Sequence, residues 1–178
     1  LNEWNYIKGW GEQFVYSIKS ICGIKGAAFT MASMTACQHS PLDMLMYYDA
    51  RPRVSYNGLF DFYKGAPLPQ YYALYAWKNL VNLGTQVKSV VTDCPDVYVT
   101  SAVGEDGRCG VLMSFFTNDK NVVAHRKVEI EIAGKEIKEA VSYVTDEFHV
   151  YTQVPVEFNE GKASMWIAPG SVVYIDIR

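Results

Sequence analysis

The sequence predicts an α/β segment followed by an antiparallel β-sandwich of about 90 residues. Two halves of unlike texture carry that reading. Up to about residue 84 the chain is rich in Tyr, Met, Ala and Gly, with apolar residues at helical spacing. Beyond it, Val, Ile, Tyr and Phe alternate with polar residues, and turn signals recur between the runs. The boundary is placed between 1–86 and 87–178.

The elements follow in order. Leu1-Asn2-Glu3-Trp4-Asn5 sets a carboxylate between an amide and an indole after a short apolar lead-in, which reads as the C-terminal end of a buried strand. Residues 12–22 place Phe14, Val15, Ile18 and Ile21 on one helical face, with Gly23 as a stop. Residues 25–38 are apolar nearly all round, with small residues that allow close packing. Residues 43–49 are a short apolar run that reads as a buried parallel-type strand with a functional C-terminal end. Pro52, Gly58, Gly65 and Pro67 mark 50–68 as a loop, and 69–83 is a last helix capped by Gly84.

In the second half, strands are expected at 87–91, 97–103, 109–116, 125–133, 139–145, 148–151, 154–158, 162–167 and 171–177. The segments 104–107, 118–121, 133–135, 159–161 and 169–170 separate many of them as turns. Val128-Glu129-Ile130-Glu131-Ile132 alternates cleanly, so one face of that strand meets solvent.

Composition narrows the function. Apolar residues make up 49% of 178, enough for a core, and a net charge of −3 argues against a nucleic-acid partner. No run approaches the roughly 18 apolar residues that span a membrane. Cys22, Cys37, Cys94 and Cys109 form no CxxC pair and read as buried free thiols, which fits a reducing, cytoplasmic location. No cofactor, metal cluster, phosphate loop or nucleophilic Ser or Cys motif is expected. Aromatic residues reach 14%. Such rings serve as platforms for pyranoses, or simply as core packing.

Glu3 is the main candidate for chemistry. Hydrolysing a glycosidic bond takes two carboxyl groups, about 5–5.5 Å apart in retaining enzymes. Glu3 stands at a strand end, where such groups sit, with Asn2, Trp4 and Asn5 as candidates to bind or wall a sugar. The competing reading is a solvated Glu in a frayed tail. Tyr47, Tyr48, Asp49 and Arg51 form a second cluster, either a sugar subsite or a structural Asp–Arg turn beside a buried Tyr. Asn57, Phe60 and Asp61 either line the same cleft or make turns.

Leu1-Asn2-Glu3-Trp4-Asn5, Gly26-Ala27-Ala28-Phe29, the stretch from Asp43 to Pro52, and Tyr56-Asn57-Gly58-Leu59-Phe60-Asp61 resemble the C-terminal third of bacterial glycoside hydrolases related to family 39, which includes β-xylosidases. The resemblance implies a (β/α)8 barrel followed by a β-sandwich, with 43–49 as the eighth strand and 69–83 as the last barrel helix. It maps the nucleophile onto Glu3. The family's acid/base lies in an Asn-Glu-Pro motif, which this sequence lacks. The expectation is therefore a C-terminal piece of a retaining enzyme: the last two β/α units of a (β/α)8 TIM barrel followed by an antiparallel β-sandwich. Its partners would be a carbohydrate substrate and the upstream part of the same barrel, with no nucleic acid and no membrane. Homo-oligomerisation stays open. The sandwich is expected to pack on the last helix and to bind no glycan. The rival reading is a non-catalytic carbohydrate-binding or structural sandwich, favoured by an exposed aromatic row. Tyr98, Phe115, Phe116, Tyr143, Phe148, Tyr151 and Trp166 mostly read as buried.

Overall fold

A computed structural model describes residue 1 and residues 3–178, so Asn2 lies outside the described residues. Among them three helices come first: α1 (Phe14–Ile21), α2 (Ile24–Cys37) and α3 (Pro69–Val81). Eight strands follow: β1 (Thr85–Val87), β2 (Val97–Val103), β3 (Cys109–Phe115), β4 (Arg126–Glu131), β5 (Ala140–Thr145), β6 (Thr152–Pro155), β7 (Lys162–Ile167) and β8 (Val172–Ile177).

The strands form two unequal antiparallel sheets. One has six strands in the order β1-β2-β3-β8-β5-β6, and the other pairs β4 with β7. Between them lies a core that includes Val111, Met113, Phe115, Val128, Ile130, Ile167 and Ile175. The opposite face of the large sheet is also covered. Ala102, Leu112, Val172 and Tyr174 pack against Ala28 and Met31 of α2 and Ala76 and Leu80 of α3. This explains why every residue of β3 is buried. Alternate residues go to opposite faces, and here both faces are dry.

Each helix has a local cause. α2 is small-residued, and Gly26 lies against the preceding turn, where a Cβ would come within 2.7 Å of the Ile21 carbonyl oxygen. α3 starts with Pro69 at its first position, where the missing N–H costs nothing. α1 departs from the expected face. Ser17, Ser20 and Ile21 are buried, while Val15 is exposed. Ser17 Oγ accepts from the Lys8 and Gly9 N–H groups at 3.0 and 3.3 Å, so a polar clamp sets the face.

Four expectations need correction. Residues 43–49 are not a strand, and the two barrel units reduce to one parallel bridge between Trp4 and Tyr47 among the described residues. A strand is held by a ladder, and here hydrogen bonds reach residues 46 and 48 from the Leu1–Trp4 side. Residues 148–151 form a turn, because Asp146 Oδ1 accepts from the N–H groups of Phe148 (2.8 Å) and His149 (2.9 Å). The strands expected at 87–91 and 154–158 fall earlier, at β1 and β6. Finally, Phe148 and Trp166 are 81% and 66% exposed rather than buried.

Candidate functional site

The Trp4–Tyr47 bridge brings two chain segments side by side, the one carrying Glu3 and Asn5 and the one carrying Tyr48, Asp49 and Arg51. The Tyr48 N–H donates to the Trp4 carbonyl at 2.9 Å, which extends the contact toward both segments' C-terminal ends. α1 and α2 connect the two segments in sequence, and α2 packs beside them through Phe29. The Phe29 ring lies 5.8 Å from Trp4 and 5.0 Å from Tyr6.

Glu3 is exposed, and its carboxylate takes no hydrogen bond from a described residue. Its neighbour Trp4 is half-buried. The Trp4 ring meets Phe29 and, edge-on at 5.9 Å, Tyr47. That packing uses the indole for anchorage rather than for walling a cleft, and leaves its buried Nε1 without a described partner.

Asn5 works as a staple. Its Nδ2 lies 2.8 Å from the Tyr48 carbonyl, 3.0 Å from the Tyr56 carbonyl and 3.1 Å from the Tyr47 hydroxyl. Its Oδ1 accepts from the Tyr6 N–H at 2.7 Å. Three acceptors around one amide nitrogen leave it no hydrogen to offer a ligand. Tyr47 is committed too. Its hydroxyl donates to the Asn57 carbonyl, and burial pushes the phenol far above its ordinary value.

The open part of the cluster is Tyr48, Asp49, Arg51 and Tyr56. Asp49 is 8% exposed and accepts from Arg51 Nε at 2.6 Å and from the Arg51 N–H at 3.0 Å. That carboxylate strengthens the Arg51 cation. Arg51 Nη2 lies 3.1 Å from the Tyr56 hydroxyl and 3.4 Å from the Tyr48 hydroxyl. The Tyr48 and Tyr56 rings stack in parallel at 5.5 Å, and the hydroxyl contact with Tyr56 raises the Tyr48 phenol. Trp10 stands edge-on to Tyr56 at 5.7 Å and is 55% exposed. The arrangement offers a rigid aromatic plate, a guanidinium with further donors and an exposed carboxylate one bridge away.

Of the residues singled out in the sequence, Asn5, Tyr47, Tyr48, Asp49 and Arg51 come together here with Tyr56 and Trp10, while Glu3 makes no bond to them. Tyr56 and Trp10 were missed as site residues. Tyr56 precedes an Asn-Gly turn, a signal for a fixed loop but not for a stack on Tyr48. Among the described residues no group of His, Cys, Asp and Glu is arranged to hold a metal. The four cysteines are free; Cys109 is buried and the other three are half-buried, and burial raises the Cys22 and Cys109 thiols.

No family model matches the chain, and no curated protein does. Solved structures do. A family 30 endoxylanase from Clostridium papyrosolvens C71 superposes with a TM-score of 0.72 at 12% identity, over 100% of this chain and 41% of that one. A family 30 subfamily 8 xylanase from Clostridium acetobutylicum gives 0.70 at 11% identity, over 99% and 41%. A family 44 xyloglucanase from Paenibacillus polymyxa gives 0.65 at 10% identity, over 99% and 31%. The chain thus spans about two-fifths of the first two structures. At these identities the likeness is one of fold. The similarity is to parts of glycoside hydrolases of families 30 and 44, and it does not single out family 39.

Proposed function

We propose that this chain is the C-terminal part of a retaining glycoside hydrolase that acts on β-xylosides or related sugars. Residues 1–86 belong to the C-terminal part of a (β/α)8 catalytic barrel, and 87–178 supply an accessory β-sandwich. The observation that carries this reading is the parallel Trp4–Tyr47 bridge. It pairs the residue after Glu3 with the residue before Tyr48, so the segment bearing the exposed Glu3 runs alongside the one bearing Tyr48, Asp49 and Arg51, the two joined through α1 and α2. Active sites of such barrels are built at the C-terminal ends of their strands. The fold likeness to xylanases and a xyloglucanase supports the same class.

In this reading Glu3 attacks the anomeric carbon and displaces the leaving oxygen, forming a glycosyl-enzyme. A second carboxylic acid, upstream of this chain, protonates the leaving oxygen and then takes a proton from the water that releases the sugar. Tyr48 and Tyr56 support a pyranose face, and Arg51 donates to its hydroxyls. Asp49 holds Arg51 in place.

Glu3→Gln in the full-length protein is the decisive variant. Turnover of an aryl β-xyloside should fall by about a thousandfold or more, as losses of a nucleophile do. A 2-fluoro aryl glycoside should leave its sugar on the peptide containing Glu3, detected by mass spectrometry. Activity within about tenfold of the parent, or a label on another residue, would remove Glu3 from the mechanism.

A further inference from the structure

A cavity lined by none of the strand-end residues lies where the end of α3 meets the large sheet. α3 covers Leu112, Val172 and Tyr174, then ends at Val81. β8 continues to Asp176, whose rung partner Gly110 lies against Leu80 and Leu83, so Asp176 stands beside the C-terminal end of α3. The cavity is about 430 Å³, within the usual size for a small-molecule pocket, and its wall includes Asn79, Asn82, Arg108, Tyr151, Tyr174 and Asp176.

Its chemistry is mixed and nearly charge-balanced. Arg108 is held by Asp106 at 2.7 Å, and Asp176 Oδ2 faces Arg178 at 3.3 Å. Asp176 Oδ1 is buried and accepts from no described residue, which is an unmet demand for a donor. Asn79 Nδ2 donates to the Tyr151 hydroxyl at 2.9 Å and fixes that ring. Tyr143 stacks on Tyr151 at 4.8 Å, and Tyr75 meets it edge-on at 5.2 Å, so the wall is a rigid tyrosine cluster. Burial pushes the Tyr151 phenol up to about 12, so it stays neutral and can donate or accept.

We infer that this cavity is a second ligand site, for a neutral sugar. An anion would meet the carboxylate of Asp176, while Arg108 is already paired with Asp106. An apolar ligand would leave the buried Asp176 Oδ1 unmatched, at a cost for that group. A pyranose carries hydroxyls that donate to Asp176 and accept from Arg108 or Asn82, and ring faces that lie on tyrosine. None of the cavity's residues belongs to the strand-end cluster, so this site stands or falls independently of the proposed reaction. It departs from the expectation that the sandwich binds no glycan.

The test is calorimetric titration of the protein with sulfur-linked xylobiose and cellobiose, which resist cleavage, and with glucuronate and inorganic phosphate as anionic probes. Saturable binding of a neutral disaccharide in the millimolar range is expected. Asp176→Asn should weaken it about fivefold to tenfold. Asn82→Ala should weaken it in the same direction, and it changes an exposed residue whose side chain bonds to none of the described residues, so folding is not at risk. Three results would overturn the site: no saturable binding of either disaccharide, tighter binding of an anion, or binding that Arg51→Ala weakens while Asp176→Asn and Asn82→Ala leave it unchanged.

Discussion

Replacing Asn57 with Ala tests what holds the loop that carries Arg51 and Tyr56. Asn57 is 1% exposed. Its Oδ1 accepts from the N–H groups of Leu59 and Phe60, both at 2.7 Å. Its Nδ2 lies 2.5 Å from the Val54 carbonyl and 3.2 Å from that of Phe60. Truncation leaves two backbone donors and the Phe60 carbonyl without partners, while the Val54 carbonyl keeps the Asn57 backbone N–H at 3.2 Å. An unmet buried group costs about 1–3 kcal/mol, so two donors cost roughly 2–6 kcal/mol. A cavity borders Asn57 and lets water reach part of the gap, which pulls the figure toward the lower half, about 3 kcal/mol. For a chain of this size that lowers the melting temperature by roughly 6–12 °C.

The contrast variant is Asp61→Ala. Asp61 Oδ1 also accepts two backbone N–H groups, from Tyr63 (3.0 Å) and Lys64 (2.6 Å), but in an exposed turn. Water replaces it, and the expected loss is under about 1 kcal/mol. Urea unfolding of both variants at equal protein concentration is the assay. If the two cost the same, or Asn57→Ala costs less than about 1 kcal/mol, then burial does not set the worth of these bonds and the reasoning fails.

Two further outcomes follow from neighbouring groups. Gly58 has φ +71, and a Cβ there would lie 2.7 Å from the Tyr47 hydroxyl and 2.8 Å from the Ile21 carbonyl oxygen. Gly58→Ala should therefore cost more than about 2 kcal/mol from strain and overpacking together, and a change below about 0.5 kcal/mol in urea unfolding would contradict the contact. Tyr16 is drawn down to about 8, first by the Tyr6 hydroxyl and then by Lys25, whose Nζ lies 3.0 Å away. Its ordinary value is about 10, so the folded form ionises first, and the resulting stability appears between those values as pH rises. Alkaline difference spectra should show one tyrosine titrating near pH 8 that disappears in Tyr16→Phe, and the parent should gain stability over Tyr16→Phe from pH 8 towards 10. Spectra that are identical for the two proteins would refute it.

Much of the β-half was legible because alternation is a local signal. β2 and β7 lie at the expected 97–103 and 162–167. The same alternation in Lys162-Ala163-Ser164-Met165-Trp166-Ile167 puts Trp166 outside with Lys162 and Ser164, so its exposure was readable and was misjudged. Phe148-His149-Val150-Tyr151 misled for a different reason. Its pattern suits a strand, but Asp146 captures the backbone, and Tyr151 takes φ +48. Pairing was not legible at all. That β4 leaves the large sheet to join β7 depends on contacts distant in sequence. The candidate site shows the same limit. Asn5 is a ligand-type residue by identity, and only the positions of Tyr47, Tyr48 and Tyr56 turn it into a staple.

The large sheet explains how such a site can be held by parts so unlike in sequence. An antiparallel sheet commonly wets one face, and near-continuous apolar runs belong to sheets buried on both. β3 and β8 carry such runs because Met113 and Ile175 face the small sheet while Leu112 and Tyr174 face α2 and α3. The helix face therefore cannot be bared without exposing Leu112 and Val172, which are 1% and 2% exposed. From that face one aromatic path leads to the candidate site. Phe116, just past β3, lies 5.3 Å from Phe29, and Phe29 in turn packs on Trp4 and Tyr6. Tyr6 adds a 2.6 Å bond from its hydroxyl to Asn118. The segment bearing Glu3 is thus clamped by ring packing to the strand that the sandwich buries most deeply, and its position is set by the β-half as much as by its own helices.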